Sequence, residues 1–139
     1  LRAKRGAREL RERAASELEY HLSAGHFCGA AGLAPGIMKV VCHLETNYVE
    51  NCKLDKMASV AGMSKAHFCR TFKEQVGMSP VRYHRFIRIQ RARQLLHNYN
   101  LSIAAAAYRV GFYDVSNFNK NFRKFIGISP RAYRSSLRI

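Results

Sequence analysis
The sequence predicts an all-α fold: two helix-turn-helix subdomains joined by a long shared helix and preceded by an N-terminal linker helix. Three observations carry this prediction. The stretch from Ser64 to Tyr83, SKAHFCRTFKEQVGMSPVRY, returns near the end as DVSNFNKNFRKFIGISPRAY. At an offset of 50 residues, Phe68, Phe72, Gly77, Ser79, Pro80 and Tyr83 recur as Phe118, Phe122, Gly127, Ser129, Pro130 and Tyr133, with Arg70 and Lys73 matched by Lys120 and Arg123. Each copy is entered through a glycine and a capping residue, and each is followed by a Ser-Pro pair suited to start another helix.

Residues 2–24 are rich in Arg, Glu, Ala and Leu, with Leu10, Ala14, Leu18, His21 and Leu22 on a narrow helical stripe. That pattern predicts a linker or signalling helix. Five Gly and Pro residues between Gly25 and Gly36 then mark a domain boundary, so that 1–36 is the linker region and 37–139 the main domain. Ile37, Val41, Leu44 and Tyr48 repeat at helical spacing and predict a packing helix to about Glu50. In residues 54–64, Leu54, Met57, Ala58 and Ala61 share a face, Gly62 permits the turn, and Ser64 is placed to cap the next helix. The first unit therefore runs over 37–79.

Gly77 ends the second helix of that unit, and Ser79-Pro80 opens a connecting helix with no breaker before Asn98, giving 80–98 as the shared element. Its apolar stripe changes sides. Tyr83, Phe86 and Ile87 lie on one face, and Ile89, Ala92, Leu95 and Leu96 on nearly the opposite one, as a helix serving two cores requires. The second unit, 99–139, opens at Ser102, with Ile103, Ala106, Ala107 and Val110 facing inward, Gly111 in the turn and Phe112 tucked after it. The repeat offset is 49 before this turn and 50 after it, so the turn carries one extra residue, and Asp114 takes the capping place of Ser64. Ser129-Pro130 starts a last short helix through Tyr133.

With Phe68 and Phe72 inward, the opposite face of their helix falls to Ala66, Arg70 and Lys73; in the second copy it falls to Ser116, Lys120 and Arg123, with Asn119 alongside. The charge balance says what such faces meet. Of the 139 residues, 24 are Lys or Arg and 9 are Asp or Glu, for a net charge of +15 and a pI near 10.3. Residues 37–139 hold 18 of the basic and 5 of the acidic side chains, and none of the acidic ones follows Asp114. The partner class is a polyanion: nucleic acid first, an anionic membrane surface second.

These residues resemble the DNA-binding domain of the AraC/XylS family of bacterial transcription regulators. The second unit carries the resemblance most fully, in Ile103, Ala107, Gly111-Phe112, Asp114, Ser116, Phe118, Phe122, Gly127, Ser129-Pro130 and Tyr133-Arg134. It extends over about Ile37 to Arg134. It implies a cytoplasmic regulator that places two recognition helices in successive major grooves of an asymmetric double-stranded site. By family position the base-reading residues are Ala66, Cys69 and Arg70 in the first unit and Val115, Ser116, Asn119 and Lys120 in the second. Lys65, Lys73, Arg123 and Lys124 are expected on phosphates. Further implications are activation through RNA polymerase and a preceding sensor or receiver domain, with homodimerisation through that region. Phe68 stands where the family more often has Leu, and Ala66 is small for a base reader.

A DNA-repair methyltransferase carrying an AraC-like module is the alternative, as is a response regulator whose receiver precedes Leu1. The first would need a zinc-bound cysteine cluster. Cys28, Cys42, Cys52 and Cys69 form no C-x-x-C pair and read as reduced thiols, with no metal or cofactor expected. The six histidines form no H-x-x-x-H pair and no nucleophile motif accompanies them, so enzymatic activity has no support. No apolar run approaches the ~18 residues of a membrane span.

Overall fold
Proline at the first helical position, where its missing N–H has no role, starts three of the helices. The computed structural model describes residues 32–138, and among them the order is α1 Pro35–Thr46, α2 Leu54–Ala61, α3 Lys65–Val76, α4 Pro80–Leu95, α5 Ile103–Arg109, α6 Val115–Ile126 and α7 Pro130–Ser136. No strand occurs among the described residues. The linker helix read from residues 2–24 lies outside them.

Each unit packs its own core. Ile37, Val40, Val41, Leu44, Met57, Phe68, Phe72, Tyr83 and Ile87 form the first. Ile89, Ala92, Leu96, Ala106, Ala107, Val110, Phe112, Phe118 and Phe122 form the second. The side change along α4 is therefore real, with Tyr83 and Ile87 given to one core and Ile89 and Ala92 to the other. Phe86 bridges them: buried, it stacks on Tyr83 at 6.5 Å and meets Phe125 of α6 edge-on at 5.7 Å. The repeat is also one of ring geometry. Phe68–Phe72–Tyr83, at 5.6 and 5.6 Å, is reproduced by Phe118–Phe122–Tyr133, at 5.7 and 5.7 Å.

The caps stand where the sequence placed them. The Ser64, Ser79, Ser102 and Ser129 hydroxyls accept from the backbone N–H three residues on, and an Asp114 carboxylate oxygen accepts from Ser116 N–H at 2.9 Å. Gly62 and Gly111 both adopt positive φ, and Met63 and Phe112 donate to the equivalent carbonyls of Ala58 and Ala107. The extra residue of the second turn is thus Tyr113, which stands 82% exposed.

Four helix limits differ from the sequence reading. α1 starts at Pro35, because Pro35 is an initiator rather than a breaker and a side chain at Gly36 would strike the backbone of Ala61. It stops at Thr46, where Asn47 turns its backbone and side-chain N–H groups onto the His43 carbonyl. The connecting helix ends at Leu95, 16 residues and about 24 Å long, instead of reaching Asn98. Leu96 drops into the second core, Asn98 accepts from the Asn100 N–H in a local turn, and the Arg134 guanidinium donates to the carbonyls of Leu96, Asn98 and Leu101. The last helix runs past Tyr133 to Ser136.

Arg88 joins the units. It is 8% exposed, and its guanidinium donates to the carbonyls of Tyr48, Val49 and Glu50 at 2.6, 3.2 and 3.1 Å. From the second unit Gly111, at φ 106°, lies so close that an added Cβ would come within 2.6 Å of the Val49 carbonyl oxygen and 3.0 Å of the guanidinium carbon. His84, one turn earlier, holds the Tyr48 carbonyl at 2.9 Å; since that oxygen can only accept, Nε2 carries the proton. Burial pushes the His84 imidazole below its ordinary range, against the favourable bond, and Arg88, Arg85 and His43 lower it further.

Two predictions follow from this joint. Gly62 and Gly111 share the positive-φ strain, but only Gly111 lacks room for a methyl group. Gly111→Ala should therefore exceed Gly62→Ala in lost stability by about 1–3 kcal/mol in urea unfolding; equal losses would remove the close approach from the account. For His84, the unfolded chain takes up its proton first, as pH falls through about 6.5, so stability present above that value is lost below it. Between about pH 7 and about pH 5 the melting temperature should fall further in the wild type than in His84→Gln, which keeps an N–H donor for the Tyr48 carbonyl.

Candidate nucleic-acid interface
In each unit a buried pair of phenylalanines fixes the rotation of the second helix about its own axis. Phe68 and Phe72 are fully buried on α3, as are Phe118 and Phe122 on α6. What faces away is decided by that packing. On α3, Lys65, Ala66, Arg70 and Lys73 are exposed, and Cys69 is half-buried against the first core. On α6, Ser116, Asn119, Lys120, Arg123 and Lys124 are exposed, and Val115 at the first turn is half-buried. The faces are cationic, with Glu74 the acidic residue on α3 and none within α6.

The exposed cations are not all equally free. Lys65 Nζ lies 3.4 Å from the Asp55 carboxylate, both largely exposed, a pairing weak enough to exchange for another anion. Asn117 is engaged: Asn121, itself 8% exposed, donates to its carbonyl and to its side-chain oxygen, both at 2.9 Å. Asn119 carries no such bond among the described residues, so its amide is available outward.

Both helix starts present free N–H groups and a positive dipole end beside these side chains. Exposed guanidinium and ammonium groups, an amide, and backbone donors on two scaffolds of the same geometry can bind phosphate and read base edges. α6 is also fixed to the connecting helix, because Phe125 packs on Phe86 and lies under the Arg82 guanidinium at 5.6 Å.

Several contributors carry little signal of their role in sequence. Arg88 has no place in the sequence reading and Arg134 only one in the family pattern, yet both hold loop carbonyls. The signal at Arg88 was its setting between Ile87 and Ile89, an arginine with apolar neighbours on both sides. Lys53, Arg85 and Tyr113, around the joint, carried no periodic signal. Of the cysteines read as reduced, Cys52 and Cys69 are free thiols, whereas Cys42 is disulfide-bonded, and Cys28 lies outside the described residues. No group of three or more His, Cys, Asp or Glu among the described residues could hold a metal, and no described helix is long and apolar enough to cross a membrane.

Residues 57–136 match the family model described as a helix-turn-helix domain. The HTH-type transcriptional regulator GbdR of Pseudomonas aeruginosa is 35% identical over 100 residues, 72% of this chain but 27% of that protein, so the chain spans about a quarter of this relative's length. Among solved structures, an AraC-type transcriptional regulator from Chromobacterium violaceum superposes with a TM-score of 0.69 at 32% identity, covering 76% of this chain and 95% of that one. The DNA-binding domain of the global transcriptional factor AdpA, solved with a target DNA, gives a TM-score of 0.70 at 28% identity, with 76% and 95% covered.

Proposed function
The chain belongs to the AraC-type helix-turn-helix family of DNA-binding transcription regulators, and from that premise we propose that it binds one asymmetric duplex site by placing α3 and α6 in successive major grooves. The observation that carries this reading is the pairing of identical scaffolds with unlike faces. The ring triads and caps repeat, while Ala66, Cys69 and Arg70 are answered by Ser116, Asn119 and Lys120. Two different half-sites on one strand pair are what such a chain would recognise, with no palindrome needed. Their separation is about one helical turn, or ~34 Å, between centres.

In this reading Arg70 bonds O6 and N7 of guanine in a bidentate manner, and Lys120 contacts guanine less rigidly. Asn119 pairs with adenine, Ser116 bonds a base edge, and Ala66 and Val115 offer apolar contact to a thymine methyl group. Cys69, half-buried, contributes a smaller edge contact. Lys65, Lys73, Arg123 and Lys124 grip phosphates and set register. In the longer protein this module would act under a preceding sensor or receiver domain and activate transcription through contact with RNA polymerase.

Selection of bound duplexes from a random pool tests the site. Two unlike half-sites about one turn apart are expected; a palindrome, or a single half-site, would contradict the proposal. On the selected duplex, Arg70→Ala should weaken binding by ~1–3 kcal/mol and relax the preference at one base position. Lys73→Ala should weaken all sequences alike and make binding less steeply salt-dependent. An unchanged base preference after Arg70→Ala would remove that residue from the reading face.

A further inference from the structure
A groove of about 390 Å³ opens at the joint between the units, walled by Lys53, His84, Arg85, Arg88, Asp114 and Asn117, with Tyr113 at its rim. Its walls come from three places: the residue that enters α2, the first half of α4, and the start of α6. Its charges are unevenly occupied. The Arg88 guanidinium is committed to loop carbonyls, and the Asp114 carboxylate accepts the Ser116 N–H. Lys53 and Arg85 are exposed, and no hydrogen bond or ion pair of either side chain is made among the described residues. Arg85 also stands close enough to add to the forces disfavouring charge on both His84 and Arg88. The groove thus concentrates positive charge in excess of its one carboxylate, Asp114.

Its position indicates which anion comes to it. In a helix-turn-helix the first helix crosses the DNA backbone and the start of the second meets base edges. Lys53 precedes the first of these helices in unit one, and Tyr113 to Asn117 form the start of the second in unit two. The groove therefore borders DNA-contacting ends of both units. Between two successive major grooves the duplex turns its minor groove, bounded by two phosphate strands, toward the protein.

We propose that this groove takes a backbone phosphate of the duplex segment between the two half-sites, held by Lys53 and Arg85, with the Tyr113 ring against the adjoining deoxyribose. The inference rests on the DNA-binding reading above. Such a contact reads no base. It fixes the spacing of the half-sites by anchoring the duplex midway, and it gives the inserted Tyr113, absent from the first unit's turn, a place in binding.

The test uses the whole 139-residue chain and the duplex recovered by selection. Affinity is measured across a salt series for the wild type, a Lys53→Gln/Arg85→Gln double variant and Arg85→Lys. Ethylation interference maps the phosphates that matter. Since each neutralised phosphate adds about 0.9 to the slope of log K against log salt, the double variant should be shallower by about one, and Arg85→Lys should keep the wild-type slope. Ethylation of the central phosphates should impair the wild type and leave the double variant indifferent. Both side chains are exposed, so melting temperatures should match the wild type. Wild-type interference confined to the half-sites, or an unchanged slope in the double variant, would overturn the central contact while leaving duplex recognition standing. Failure of the wild type to prefer any duplex would overturn the DNA-binding reading itself.

Discussion
In the middle of α4 an almost fully buried guanidinium donates to three successive carbonyls of residues 48–50, and the Cα of Gly111 closes over it from the other unit. Among the described residues Arg88 has no carboxylate partner. Its desolvation is offset by charge-assisted bonds to neutral oxygens. The loop that ends α1, the connecting helix and the turn of the second unit thereby become one piece. Phe112 completes the seal, with Arg88 5.9 Å above its ring. A second attachment lies on nearly the opposite side of α4, where Phe86 meets Phe125. Two residues apart, these side chains point about 160° from one another around the helix. Contacts on both flanks oppose swinging of the second unit about the connector.

The same device recurs at the repeated position after the ring triad. Tyr83 is followed by His84, which holds the Tyr48 carbonyl, and Tyr133 by Arg134, which holds those of Leu96, Asn98 and Leu101. In both units, then, the helix that follows the second helix of the helix-turn-helix returns to the loop behind the preceding core helix and satisfies its carbonyls. The first unit divides the task between His84 and Arg88; the second gives it to one arginine. The repeat is thus a closed circuit of rings and carbonyl clamps, within which the outward residues can vary without disturbing the fold.

The circuit explains what could be read in sequence. Caps, positive-φ glycines and paired phenylalanines are local, and Ser64, Asp114, Gly62, Phe68 and Phe118 announced them. The end of α4 was not legible, because no breaker lies near Leu95 and the helix is stopped by a guanidinium 38 residues away. Arg88 was hidden for a related reason: an arginine in a basic chain looks like surface charge until the carbonyls it serves are brought to it. The proposed reading face was legible in part. Its exposed members follow from the rotation set by the phenylalanines, whereas the engagement of Asn117 by Asn121 and the core contact of Cys69 required neighbours that spacing does not show. The groove at the joint was invisible for the same cause, since Lys53, Arg85 and Tyr113 are distant in the chain.

A rigid frame makes a demand on DNA that a flexible pair of modules does not. The most direct test is the affinity of the selected duplex after one, two or five base pairs are inserted between its half-sites. Each inserted pair moves one half-site by about 3.4 Å and turns it by about 35°. The account predicts at least a tenfold loss with a single inserted pair, falling to the level of a single half-site with five. Affinity unchanged by one or two inserted pairs would contradict it, since α3 and α6 would then be moving independently.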